Sequence, residues 1–239
     1  MKKIFLFLIF ISIFIFSGCA GGTHYRSIKE IKRSGELHVY VFPAGKPFAY
    51  LDGNIPVGSE VELMEKVAQD LGVSAVFTVA TRAEIFEAIQ NGAADVAVGN
   101  FIDTVSSRRV ASFSAGMGSQ GMYSVAKRGE IYNTCGTFLE KNIGAVEDSA
   151  SDYSLIISPV RPTEIYYYEN VRDLTTALLF GEIDVLVCSE QEAAEIIFEH
   201  DELAAEYVTN SAVSEFSAMV ARGNTNLIAA VNKIIFARE

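Results

Sequence analysis

The residues best suited to nucleophilic or metal chemistry are few, and their spacing supports neither. Cys19, Cys135 and Cys188 stand far apart, and no Cys or His pair has metal-ligand spacing. His24, His38 and His200 fall in an N-terminal tether, an early strand and a helix end, and none sits in a nucleophile motif. No glycine-rich cofactor loop occurs, so no cofactor is expected. Carboxylates remain: Glu190 and Glu192 come directly after an apolar run that ends at Cys188. An acid held in a cleft can transfer a proton or pair with a cation. In an oxidising compartment Cys135 and Cys188 could be bridged, and free buried thiols are the other reading.

An internal repeat indicates which elements position such groups. Residues 88–98 read Ala-Ile-Gln-Asn-Gly-Ala-Ala-Asp-Val-Ala-Val, and residues 177–187 read Ala-Leu-Leu-Phe-Gly-Glu-Ile-Asp-Val-Leu-Val. The offset is 89 positions, with Ala, Gly, Asp and two Val identical. Each copy predicts a helix (Glu84 to Gln90; Asp173 to Phe180) closed by a glycine cap, then a short buried strand (Asp95 to Val98; Asp184 to Val187). Further strands are predicted at Leu37 to Phe42, Ala75 to Val79 and Ile143 to Val146. The run Glu60 to Leu71 predicts a helix with Val61, Met64, Val67 and Leu71 on one face. Gly121 to Ala126 and Phe216 to Ala221 read as crossover strands, the second leading into a helix over Asn226 to Phe236. Alternating strands and helices imply an α/β fold of two lobes, each a mostly parallel sheet with helices on both faces. Ligands bind such sheets beyond the carboxyl ends of the strands. Gly99-Asn100 and Cys188-Ser189-Glu190 are therefore expected on opposite walls of one cleft.

The N-terminus carries an address. Lys2 and Lys3 precede an apolar run from Ile4 to Phe16, shorter than the roughly 18–20 residues of a spanning helix. Phe16-Ser17-Gly18-Cys19 resembles the lipobox of bacterial lipoproteins, although the usual Leu is Phe16 here. The resemblance implies a signal peptide over 1–18 and acyl chains such as palmitate on Cys19. A plain secretory signal with an incidental Cys is the alternative. Residues 19–33 would form the lipidated tether and the lead into the domain, starting with the flexible Ala20-Gly21-Gly22-Thr23. Without Lys2 and Lys3 the chain holds 17 basic and 30 acidic residues, a formal charge of −13. Such acidity argues against nucleic acid and against electrostatic attachment to anionic lipid. Membrane attachment then falls to the lipid anchor.

Several short motifs, in order, resemble the family 3 bacterial extracellular solute-binding proteins, the polar amino-acid-binding subunits of ABC importers. They are Ile31-Lys32-Arg33-Ser34-Gly35-Glu36-Leu37, the loop Lys46-Pro47-Phe48-Ala49-Tyr50-Leu51-Asp52-Gly53, and Val57-Gly58-Ser59-Glu60-Val61-Glu62-Leu63. Asn91 to Val96, Phe113-Ser114 and Gly181-Glu182-Ile183-Asp184-Val185 complete the set. The resemblance spans about Ile28 to Lys233 and implies a type II periplasmic-binding-protein fold. Lobe 1 would comprise residues 34–121 with 214–239, and lobe 2 residues 122–213. It implies no enzymatic activity, a small-molecule solute as ligand, and ABC permease subunits as partners.

Site roles come from the resemblance alone. The family's carboxylate-binding arginine falls at Ser107 without a gap, and a one-residue slip brings Arg108 to that position, just after Thr104 to Ser107. Its ammonium-binding Asp corresponds to Ser189, with Glu190 adjacent, and its anion loop to Asp148-Ser149-Ala150. The first-loop aromatic corresponds to Gly45, so Phe42 either supplies that face or belongs to the core. Together with Phe48, Gly99 and Asn100 these make up the expected ligand contacts. The scaffold motifs survive while the ligand positions diverge, which leaves three readings. They are a solute-binding lipoprotein, a cyclohexadienyl-dehydratase-like enzyme using Glu190 or Glu192, and a surface lipoprotein without solute.

Overall fold

The computed structural model describes residues 25–147, 149–158 and 164–238, so the signal segment, Cys19, His24 and Asp148 lie outside the described residues. Two five-stranded sheets organise the chain. The first has the order β4 (Ser74–Val79), β1 (Glu36–Val41), β5 (Val96–Val98), β12 (Ser214–Ala221), β6 (Ala111–Gln120). The second has the order β11 (Leu203–Tyr207), β7 (Tyr123–Lys127), β10 (Val185–Cys188), β8 (Asn142–Val146), β9 (Glu164–Tyr168). Strands β2 (Tyr50–Asp52) and β3 (Ile55–Val57) form a separate hairpin.

Each sheet is mostly parallel, as the alternation of elements predicts, with one reversed strand. In each, four strands run in one direction and one, β12 or β7, runs against them, so β4-β1-β5 and β10-β8-β9 pair in parallel while the reversed strand pairs antiparallel with both its neighbours. The reversed strands, β7 and β12, are the ones the chain enters directly on passing from one sheet to the other, without a crossover helix. Strand β6 carries little strand-forming signal, since Ala-Ser-Phe-Ser-Ala-Gly-Met-Gly-Ser-Gln is poor in branched residues. It is held by its long ladder with β12, whose register shifts at Phe216 to Met219.

Helices cover both faces of each sheet. Leu37, Val39 and Val41 of β1 point to one side and pack under α2 (Ser59–Leu71) and α7 (Thr225–Phe236). On the other side α3 (Arg82–Asn91) sets Ile85, Ala88 and Ile89 against Ala97, Phe101 and Met219. In the second sheet Leu155 of α4 (Ala150–Ile157) packs with Ile143, Ala145, Val185 and Val187. The opposite face is filled by Leu174 and Leu178 of α5 (Val171–Phe180) and Ile196 of α6 (Glu190–Glu199). Cys135 and Cys188 are free thiols, buried in the clusters on opposite faces of this sheet.

The repeat has a structural meaning. Gly92 and Gly181 close α3 and α5 in the left-handed conformation, at φ 80° and 75°. The repeated Asp then ties its strand to the neighbouring one. Asp95 Oδ2 accepts from the His38 N–H at 2.8 Å, and Asp184 Oδ2 accepts from the Asn142 N–H at 2.8 Å. These two bonds anchor the starts of β1 and β8, the equivalent strands of the two sheets.

Candidate functional site

The chain leaves β5 through a turn that few residues can make. Gly99 has φ 131° and Asn100 φ 55°. A Cβ at Gly99 would lie 2.3 Å from the Phe42 carbonyl oxygen, so the close approach of the two backbones needs glycine. Behind the turn stands Glu60, at the second residue of α2 and only 2% exposed. Its Oε2 accepts from the Gly99 N–H at 2.7 Å and the Asn100 N–H at 3.3 Å. Its Oε1, and Oδ1 of Asn100, are buried without a hydrogen-bond partner among the described residues. Burial pushes the Glu60 carboxyl up to about 7, against the opposing pull of the Asn100 and Gly99 N–H groups and the charge of Arg82.

From Asn100 the backbone runs along one wall of a cavity of about 750 Å³. Phe101, Ile102, residues 104–107, Arg109 and Val110 form this wall together with Arg82 and Phe86 of α3. The facing wall is α4, through Ser149, Asp152, Tyr153, Ile156 and Ile157. The cavity thus lies between elements of the two sheets. Thr104 and Ser107 lock the wall: the Thr104 N–H donates to Ser107 Oγ at 2.9 Å, and the Ser107 N–H to Thr104 Oγ1 at 3.0 Å. Ser149 caps α4, its Oγ accepting from the Asp152 N–H at 3.1 Å. Asp152 is buried and accepts from the Tyr167 hydroxyl at 3.1 Å.

Arg82 is the half-buried cation of this cavity. Its guanidinium lies 4.4 Å from the centroid of the Phe42 ring and 5.1 Å from that of Phe101. Phe101 in turn meets Phe86 edge to face at 5.9 Å. Two aromatic rings thereby contact the guanidinium.

Of the expected contacts, Thr104 and Ser149 line the cavity. Phe42 stands under Arg82, while Gly99 and Asn100 form the turn behind the wall. Arg108 is placed elsewhere. Its Nε donates to Asp103 Oδ1 at 2.5 Å and its Nη2 to Oδ2 at 2.8 Å, with the side chain 66% exposed and off the lining. Asp103, five residues back in the same loop, satisfies the fork locally. Ser107, the ungapped alternative, is buried in the loop's own hydroxyl network. Phe48 packs edge to face on Phe216 at 4.8 Å and does not line the cavity.

The second strand end is also occupied by structure. Ser189 caps α6, accepting from the Glu192 N–H at 3.2 Å while its own N–H donates to Glu192 Oε2 at 2.8 Å. Glu190 is exposed and lies beside Tyr123, whose phenol is raised by burial and by that carboxylate. Neither residue lines the cavity, and Arg108 and Glu190 are each engaged near home rather than with one another.

Glu60, Arg82 and Asp152 escaped the motif reading, though two of them left a trace in the sequence. Glu60 shares a stripe with Met64, Val67 and Leu71, a charge on an apolar helix face. Thr81 and Glu84 form a capping box that fixes Arg82 as the first helical residue, where a cation opposes the helix dipole. Asp152 carries no comparable sign. Among the described residues no three His, Cys, Asp or Glu side chains converge as a metal site, and no helix is long and apolar enough to cross a membrane.

Residues 37–238 match the bacterial extracellular solute-binding proteins, family 3. Among solved structures, holo ArgBP from T. maritima superposes with a TM-score of 0.71 at 20% identity, covering 89% of this chain and 94% of that one. AbpA from Streptococcus pneumoniae, an amino acid ABC transporter substrate-binding protein bound to L-arginine, gives 0.69 at 23% identity, over 87% and 91%. An ABC uptake transporter substrate binding protein from Streptococcus pneumoniae with bound histidine gives 0.71 at 14% identity, over 87% and 89%. No curated protein matches the sequence. The fold is that of the type II periplasmic binding proteins.

Proposed function

Because this chain belongs to the bacterial extracellular solute-binding proteins, family 3, we propose that it is the lipid-anchored receptor of an ABC importer, taking up an amino acid or related carboxylate. The observation that carries this reading is the cavity of about 750 Å³ between α3, the loop after β5, and α4. Its size falls in the range of small-molecule sites, and its apolar lining with a few placed charges suits one polar solute. Thr104 and Ser149, on facing walls, are the polar contacts we retain from the motif comparison. In this reading lobe 1 (34–121 with 214–239) and lobe 2 (122–213) close on the solute and present it to permease subunits. The protein binds and delivers; it does not catalyse. Cys19 carries the acyl chains that keep the domain at the extracytoplasmic face of a membrane.

A thermal-shift screen of the twenty amino acids and of small carboxylates tests this. Saturation at 100 times Kd adds about 2.7 kcal/mol, which for a chain of this size raises Tm by roughly 5–10 °C. No shift with any of these solutes would remove the reading. Replacing Cys19 with Ser should release the protein from the membrane fraction and abolish labelling by a palmitate analogue.

A further inference from the structure

The acidity of the chain is uneven. Residues 26–33 hold four basic residues, Arg26, Lys29, Lys32 and Arg33, against Glu30 alone, whereas residues 34–239 hold 13 basic and 29 acidic ones. Lys29, Lys32 and Arg33 recur at helical spacing on α1 (Ile28–Ser34), and all three are exposed. Ile28 and Ile31 turn the other face of the helix into the core of the first sheet. Cations suit the last turn of a helix, which accounts for Lys32 and Arg33 but not for Lys29, set where like charges repel. No salt bridge among the described residues engages any of the three. Of the neighbouring carboxylates, Glu30 is turned back to Ser27 by the capping box, and Glu36 stands 3.3 Å from the His38 ring.

The place of this face follows from how the chain enters the fold. Arg26 clasps the starts of two neighbouring strands: its Nε and Nη2 donate to the Asp95 carboxylate, and Nη2 also donates to the Glu36 carbonyl at 3.1 Å. Its Nη1 donates to Ser34 Oγ at 3.1 Å, and its carbonyl accepts from Asn224 Nδ2 at 3.3 Å. Tyr25 is thereby held at the end of the first sheet where β1 and β5 begin, opposite the Gly99 turn that follows β5. Cys19 lies six residues before Tyr25, a span of at most about 22 Å. A lipid on Cys19 therefore keeps that end of the domain, α1 included, near the headgroups. We propose that Lys29, Lys32 and Arg33 rest on anionic phospholipid headgroups, so that the start of the first sheet faces the bilayer and the Gly99 turn faces away. The net charge of the chain repels such a surface, so the patch orients the domain and does not attach it. The tether supplies the effective concentration that so small a contact needs. The solute cavity, whose wall begins at that turn, is then carried at the far end of the sheet, clear of the bilayer.

This inference rests on the lipid anchor at Cys19, and the full-length lipidated protein tests the two apart. Mass spectrometry of the Cys19 peptide establishes the anchor, and a chain that carries no lipid there overturns both. Ser74 and Val79 are the exposed ends of the edge strand β4, about 17 Å apart, and the Ser74 N–H donates to the Gly35 carbonyl at the close of α1. A donor dye on Ser74→Cys or Val79→Cys reports energy transfer to an acceptor lipid, while Cys135 and Cys188 are buried away from the dye. On vesicles of phosphatidylcholine and phosphatidylglycerol in equal parts, transfer from Ser74→Cys should exceed transfer from Val79→Cys. That difference should fall to its value on phosphatidylcholine alone in the triple variant Lys29→Gln, Lys32→Gln, Arg33→Gln. It should fall likewise without substitution in about 1 M salt, where the Debye length is about 3 Å. Lys127→Gln, in the second sheet, should leave it unchanged. Circular dichroism establishes that the triple variant is folded. If it is not, the salt series and Lys32→Gln alone decide, the single change lowering the oriented population by up to about fivefold. Lipidated protein whose difference is the same with and without phosphatidylglycerol overturns the orientation and leaves the anchor standing. Protection of Lys29 and Lys32 from acetylation in cells, without a difference on vesicles, assigns the face to a protein partner and also overturns it.

Discussion

The two copies of the repeat share a frame and differ in the residues just past its strand. Val98, Gly99 and Asn100 in the first copy stand at the positions of Val187, Cys188 and Ser189 in the second. Up to that point the chemistry is the same: a glycine cap, an aspartate clasp to the next strand, and a buried parallel strand. Beyond it the second copy is fully satisfied. Cys188 fills core, and Ser189 and Glu192 satisfy one another in a capping box. The first copy instead makes a turn with two positive φ values, beside which Glu60 Oε1 and Asn100 Oδ1 are buried without partners among the described residues. Unfavourable local features of this kind persist where they serve a purpose, and this one adjoins the cavity wall. In the function we propose, the second copy serves as scaffold and the first adjoins the site.

Substitutions at matched positions can break that contrast. The largest effect is expected for Gly99→Ala. The new Cβ would meet the Phe42 carbonyl at 2.3 Å in a backbone conformation that only glycine takes easily, at a cost of about 3 kcal/mol or more. At the matched position Cys188→Ala should cost about 1–2 kcal/mol by chemical denaturation, through lost packing alone. Equal costs would mean that the first turn is no more constrained than the second strand end.

Next comes the titration of Glu60. Its carboxyl stands at about 7 in the folded protein against 4.5 ordinarily, so the folded state holds the proton more tightly than the unfolded chain. Stability must therefore fall as pH rises from about 4.5 through 7, by up to about 3 kcal/mol. Glu60→Gln should show little of this slope when urea midpoints are compared at pH 5 and pH 8. A slope that survives the substitution would assign it to other groups.

The aspartate clasps provide a finer comparison. Asp184→Ala should cost about 1–2 kcal/mol by leaving the Asn142 N–H without its acceptor. Asp95→Ala should cost about 1 kcal/mol more, because Asp95 also pairs with Arg26 at a buried carboxylate. The smallest effect is that of Ser189→Ala, about 1 kcal/mol for a lost helix cap with no change in solute affinity. A weakened solute there would move the site toward the second copy.

Much of the frame is legible in the sequence because it is local. Gly92, Asp95, Val96 and their counterparts 89 positions later act through turns and adjacent strands, and the stripe of α2 has helical period. Strand β6 is not legible, since its pairing with β12 joins segments about a hundred residues apart and its residues have weak strand preference. The site divides in the same way. Thr104 and Ser149 stand out by motif, and the structure brings them to facing walls. Arg108 has the right type and nearly the right position, but Asp103 five residues earlier takes its fork, a competition that motif spacing does not reveal. Glu60 meets the turn at Gly99 from α2, and Arg82 meets Phe42 and Phe101 from α3, and each shows beforehand only as a charge in an unfavourable place.

The central claim is that solute recognition sits at the first strand end and not at the second. It is tested most directly by the affinity of one carboxylate solute for Arg82→Gln and Glu190→Gln, measured side by side by calorimetry. Binding should weaken at least about tenfold in Arg82→Gln and change within about twofold in Glu190→Gln. Loss of binding in Glu190→Gln with Arg82→Gln unaffected would contradict the claim.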